Sequence, residues 1–232
     1  IEPKGIGLGG TLHLTIGALG HSKHAAHYSP NQPGPNGPVR VINLTNTKGD
    51  GTVAHEWHHA LDYHLGDGSP TSEGPKHVVR ALKYGFDLAY LEKRLDQFLT
   101  GGWYFKGSKT DVVGNAIRAI ENKSNSGDTK YYKAAVELGA DYWGNDRELF
   151  ARAAEAWLFD RMGERSNTYL VNPWVADGKT KPPTYRGTPY PEGDERKRFA
   201  TYYEAFFKAL DWTAKGPVFN AERFMEVRPK EK

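Results

Sequence analysis

Between the turn residues Gly49-Asp50-Gly51-Thr52 and Gly66 lies Val53–Leu65, the segment that most restricts how this chain can fold. Val53, Trp57, Ala60 and Leu61 recur at helical spacing, so one flank of an α-helix must be buried. Thr52 is placed to cap the start of that helix and Gly66 to stop it. The same stretch reads His55-Glu56-Trp57-His58-His59. Residues four apart project about 40° apart around a helix axis, so His55 and His59 leave one face together. Two neutral imidazoles so placed suit a single Zn²⁺ at about 2.0–2.1 Å from each nitrogen. Glu56 falls about 100° from His55 and about 60° from His59. From that edge it reaches a metal-activated water without occupying the metal, which is the position of a general base.

Around this helix the pattern is α+β and mainly helical, with a small N-terminal sheet. Residues 11–16 alternate weakly and Val39–Leu44 reads as a short strand, while the proline-rich residues 29–38 read as loop. Helices are expected over 77–99, 111–122, 129–138 and 147–162, the last capped by Asn145 or Asp146 and closed by Gly163. Residues 166–191 form a Pro/Gly-rich surface segment, and a final long helix over 192–210 leads into an irregular tail. The 232 residues fit one domain, 1–232. Sheet and first helix occupy 1–65, a helical part 66–163, and loop, long helix and tail 164–232.

Composition narrows the chemistry. Cysteine is absent, so metal ligands must come from His, Asp or Glu, and a reducing cytoplasm is the expected setting. The net charge of +3, from 31 basic against 28 acidic residues, is too small to argue for nucleic acid as a partner of this domain. The longest uncharged stretch, residues 5–22, is glycine-rich and holds His13 and His21, so no membrane span is expected. The chain begins at Ile1, as expected of a domain cut from a larger protein.

A catalytic zinc takes three protein ligands and keeps one position open. Residues 148–157 form a strong helix with Glu148, Arg152 and Glu155 along one stripe; Leu149, Phe150, Ala153, Ala156 and Trp157 are its apolar part. Glu148 is the first candidate for the third ligand, with Glu155 next and Asp141 or Glu137 behind. Arg152 and Glu155 would orient the ligands. The competing reading is a solvated row of i,i+4 ion pairs. Asp62, three residues past His59, could accept a ring N–H from a ligand histidine or stand exposed near the helix end. His58 lies off the His55/His59 bisector and His64 about 140° round from His59. His13, His21, His24, His27 and His77 have no ligand spacing and read as structural or solvent-facing.

Val41-Ile42-Asn43-Leu44-Thr45, then residues 51–62, then Tyr142-Trp143 followed by residues 148–156, resemble the large polyvalent protein-associated domain. That family occurs in proteins of bacteriophages and conjugative elements and is held to be zincin-like. The resemblance covers residues 17–157 and gives nothing for residues 199–232. The order His-Glu-x-x-His-Ala-(apolar)-Asp, a Tyr, then Glu-x-Phe-Ala is also similar to the gluzincin peptidase domain of anthrax lethal factor. The resemblance implies Glu148 as third zinc ligand, Glu56 as general base and Tyr142 as the phenol that stabilises the oxyanion. Arg152 departs from the toxin pattern, which has an acid there, and Tyr142 stands one residue nearer the ligand Glu than that pattern has it.

In a zincin frame Val41, Ile42, Asn43 and Leu44 belong to an edge strand able to pair with an extended peptide over the metal. The expectation is a zinc-dependent peptidase acting on a protein or peptide, within a larger polyvalent protein delivered to a bacterial cytoplasm with phage or mobile-element DNA. A non-peptide amidase would use the same residues. The alternative is a catalytically silent zincin fold serving as an interaction or nucleic-acid-associated module. Lys197-Arg198 with Phe199, Tyr202, Tyr203, Phe206 and Phe207 could be quoted for it, although aromatics at helical spacing are more often core.

Overall fold

The computed structural model describes residues 3–17, 25–46, 49, 51–65, 83, 129–165, 167–172 and 188–227. The helices expected over 77–99 and 111–122 lie outside these residues, apart from Lys83, which is helical; so do His21, His24 and His77. In chain order the elements are α1 (Pro3–Ile6), β1 (Leu12–Ile16), β2 (Ala26–Gln32), β3 (Val39–Leu44), α2 (Val53–Leu65) and α3 (Lys130–Gly139). They continue with α4 (Asp146–Met162), a 3₁₀ turn at Gly163–Arg165, α5 (Gly193–Lys208), β4 (Leu210–Thr213), β5 (Gly216–Phe219) and α6 (Ala221–Val227). The class is α+β.

The N-terminal sheet has three strands in the order β1-β3-β2. β1 runs parallel to β3, with Leu12 opposite Arg40 and Ile16 opposite Leu44, and β2 runs antiparallel to it, with Ala26 opposite Leu44. One face of the sheet, through Ala26, Ile42 and Leu44, packs on Val53 and Trp57 of α2. Two expectations are corrected here. Residues 29–32 are strand, not loop: proline lacks a donor, but β2 is an edge strand, and its register shifts between Ser29 and Gln32 where Pro30 falls. And β3 is central. Its backbone is paired on both sides, so Val41, Ile42, Asn43 and Leu44 have no free edge to offer a peptide.

The helices end where local chemistry dictates. Thr52 stands at the cap position of α2: its carbonyl accepts the Glu56 N–H, while its hydroxyl donates to Gly49. The Ala54 N–H at that end is taken by the carbonyl of Leu170. The side chain of Thr129 caps α3, Asn145 caps α4, and Gly163 closes α4 with φ of 52°. Every residue from Leu149 to Ala156 is buried, so α4 is buried all round rather than along one stripe. Its alanines let neighbours approach closely: Ala60 and Leu61 of α2 on one side, Phe199, Tyr203 and Phe206 of α5 on another.

That packing takes Phe199, Tyr202, Tyr203 and Phe206 into the core and leaves Phe207 partly buried against it. The expected irregular tail is also corrected. β4 and β5 form a hairpin, Asn220 caps α6 through Arg223, and Phe224 is buried in the main core. His64 at the end of α2 holds this hairpin, donating from Nε2 to the Pro217 carbonyl at 3.1 Å and accepting from Arg40 at Nδ1 at 3.0 Å. Among the described residues no helix is long and apolar enough to cross a membrane.

Candidate metal centre

α2 and the first turn of α4 build the centre. His55 and His59, one turn apart, meet edge to face with ring centroids 4.6 Å apart and Nε2 atoms 3.0 Å apart. Glu148 enters from α4, one carboxylate oxygen 3.4 Å from His55 Nε2 and the other 3.4 Å from His59 Nε2. Ligands about 2.0–2.1 Å from a tetrahedral zinc lie about 3.3–3.4 Å from one another; the nitrogen pair at 3.0 Å, with a carboxylate oxygen 3.4 Å from each nitrogen, comes close to that spacing, so the three side chains could take a zinc ion. Among the described residues these three side chains form the one group able to hold a metal ion. Glu155, Asp141 and Glu137, the other candidates for third ligand, are not part of it.

Electrostatics favour a cation at this point. Burial alone would lower the pKa of His55, but hydrogen bonds to Glu148 and Glu155 and the charges of Glu148 and Glu56 raise it to about 10. Burial raises Glu148, yet its contacts with His55 and His59 hold it well below the usual carboxylate range. Without a metal, the site gathers a proton in its place.

The surrounding residues hold these three side chains in place. Arg152, only 4% exposed, donates from Nη2 to Glu148 at 2.5 Å, and its guanidinium lies 4.1 Å from the ring centre of Trp143 and 5.4 Å from that of Tyr142. Glu155, 3% exposed, sets Oε2 3.7 Å from His55 Nδ1 and accepts the Tyr190 hydroxyl at 3.0 Å. The stripe Glu148-Arg152-Glu155 is therefore buried ion pairing around a ligand set, not a solvated row. Tyr190 was not signalled by the sequence: it is one of three tyrosines in the Pro/Gly-rich segment 166–191, with no periodicity or spacing to single it out.

A cavity of about 410 Å³ opens over the triad, walled by β2, α2 and residues 141–148. Glu56 (8% exposed) and Asp62 (4%) line it, so Asp62 is no exposed acid at a helix end. Tyr142 lines it too, half exposed. Burial and the charge of Glu148 raise its phenol pKa, keeping it a hydrogen-bond donor. The strand at the cleft is β2, through Ala26, His27, Tyr28 and Pro30, rather than β3. His13 is exposed on β1, away from the site. His58 is buried among Trp57, Phe150 and Phe207, its Nδ1–H donating to the Ala54 carbonyl at 2.6 Å.

Fold and site together define an α+β domain with a His-His-Glu group that could hold a metal ion, at the floor of an open cleft. Residues 128–213 match the family model described as large polyvalent protein-associated domain 1, the family the sequence resembles. The match runs further along the chain than the resemblance does: it takes in Tyr142, Glu148, Arg152, Glu155 and Tyr190, reaches through α5 to the end of β4, and begins beyond α2. A domain associated with large polyvalent proteins agrees with a working place inside a longer chain. No curated protein and no solved structure matches this chain.

Proposed function

We propose that this chain is a zinc-dependent peptidase of the gluzincin type, with a zincin-like arrangement of sheet over metal helix. The observation that carries the reading is the convergence of His55 Nε2 and His59 Nε2, 3.0 Å apart, on the Glu148 carboxylate, which sets one oxygen 3.4 Å from each, with Glu56 on the wall of the same cleft. Zinc held there supplies a Lewis acid that acidifies water and polarises a carbonyl. Glu56 accepts the proton of the attacking water and returns it to the leaving amine. Tyr142 O–H donates to the oxygen on which negative charge develops. Arg152 and Glu155 hold Glu148 and His55 in place, and Asp62 adds negative charge to the cleft. An extended substrate lies along the outer edge of β2, where backbone pairing accepts many sequences and the walls select side chains. The lack of cysteine suits action in a cytoplasm.

Elemental analysis of purified protein should find one zinc per chain. Glu56→Gln should keep zinc and fold but lose about 10²–10⁴ in the rate of cleaving an unfolded protein substrate. Survival of that activity would refute the mechanism. Zinc binding with no cleavage across a broad peptide library points instead to a binding module, and cleavage of small amides alone to an amidase.

A further inference from the structure

A second cavity, of about 480 Å³, lies against the other flank of α2, where Val53, Ala54, Trp57 and His58 face α4, α5 and β4. Its walls are rigid aromatic plates. Trp57 stacks on Phe207 at 15° and Phe207 on Trp157 at 14°, with centroids 6.4 and 4.7 Å apart. The indole N–H groups are spent inside the protein: Trp57 donates to the Ile6 carbonyl at 2.9 Å and Trp157 to Glu204 at 3.2 Å. Ring surface, not polar edge, is therefore what the walls offer. His58 contributes to the lining, and its buried Nε2 has no hydrogen-bond partner among the described residues.

Among the described residues the rim has one charge without an ion pair. Arg161 is paired with Glu204, whereas Lys208 is exposed and has no ion pair among the described residues. An occupant that complements both features has a flat apolar body for the plates and one negative group for Lys208. The volume falls in the range of small-molecule sites. We propose that this cavity is a second ligand site, taking a small amphipathic anion with a flat aromatic or apolar body. It uses none of the metal ligands and stands whether or not the cleft hydrolyses peptides.

The test uses anilinonaphthalene sulfonate, an aromatic anion, titrated into the full chain with a chelator present. The expected result is saturable enhancement of probe fluorescence, quenching of tryptophan emission, and a rise in the melting temperature of the protein. Lys208→Glu should weaken probe affinity about tenfold at low salt, because an attraction becomes a repulsion. Lys215→Glu, the same charge change on the exposed hairpin turn, should leave affinity unaltered. The uncharged analogue phenylnaphthylamine should bind all three proteins alike. The proposal falls if the probe never saturates, if the two lysine variants weaken it equally, or if Lys208→Glu also loses the uncharged analogue.

Discussion

Replacing Glu148 with Ala should destabilise the metal-free protein, and the size of the effect follows from what the substitution leaves behind. Arg152 is 4% exposed, its Nη2 bonds only Glu148, and its buried Nη1 has no hydrogen-bond partner among the described residues. Two unit charges 4 Å apart attract by about 4 kcal/mol at an effective dielectric near 20. Breaking a buried pair from one side costs about 3–5 kcal/mol, since the other charge stays behind. The Trp143 face beneath the guanidinium keeps about 1–2 kcal/mol of that. The net loss is about 1–4 kcal/mol, a fall in melting temperature of about 2–16 °C for a chain of this size. Urea denaturation with a chelator present measures it as a lower midpoint at unchanged slope. His55 also contacts Glu148, so a double-mutant cycle with Arg152→Met isolates the Arg152 part, expected at about 2 kcal/mol of coupling. A metal-free Glu148→Ala protein as stable as its parent, or an additive double mutant, refutes the buried ion pair and the clamp it makes on the ligand.

Glu155→Ala should weaken zinc about 10–100-fold and Tyr190→Phe less, both read by competition with a chelating dye, because Glu155 orients His55 and Tyr190 only orients Glu155. Tyr142→Phe should lower kcat about 10²–10³-fold with little change in KM if the phenol meets the developing oxyanion; a change in KM alone would assign Tyr142 to substrate binding. His58 supplies a pH dependence: burial lowers its pKa to about 4 against an ordinary 6.5. Between those values the unfolded chain binds a proton that the folded chain does not, so stability is full above about pH 6.5 and falls as pH drops towards 4. His58→Leu should flatten that slope in urea melts from pH 4 to 7.

What could be read from the sequence was what local chemistry controls. Thr129, Asn145 and Gly163 mark helix ends because a cap needs only its own few neighbours. His55 and His59 converge because one helical turn sets their separation, and Glu148 follows once a second helix with an acid in its first turn is recognised. What could not be read depends on partners far along the chain. Pro30 forbids a central strand but not an edge one, and nothing near it says that β3 is the strand flanked on both sides. The hairpin of β4 and β5 has four residues a strand, too few for alternation to show, and is held by His64 from another element. Tyr190 reaches Glu155 only after the fold has closed.

The departure at Arg152 also has a physical explanation. α4 is buried on every side, and a helix selected for stability alone would carry apolar residues at 148, 152 and 155, since a buried ion pair seldom gains more than well-packed side chains would. The side chains around the two imidazoles include Glu56, Asp62, Glu148 and Glu155, with Arg152 as the buried cation among them. The balance is negative, and a site so charged must be answered by a proton or by a metal. The elevated pKa of His55 is the proton's answer. A divalent cation held by His55, His59 and Glu148 would displace that proton and cancel more of the charge, so metal affinity should rise with pH as His55 gives up its proton. Arg152 limits the excess: it occupies one oxygen of Glu148 and draws charge from it, and the other oxygen would remain for a metal, a task no acid at that position could perform.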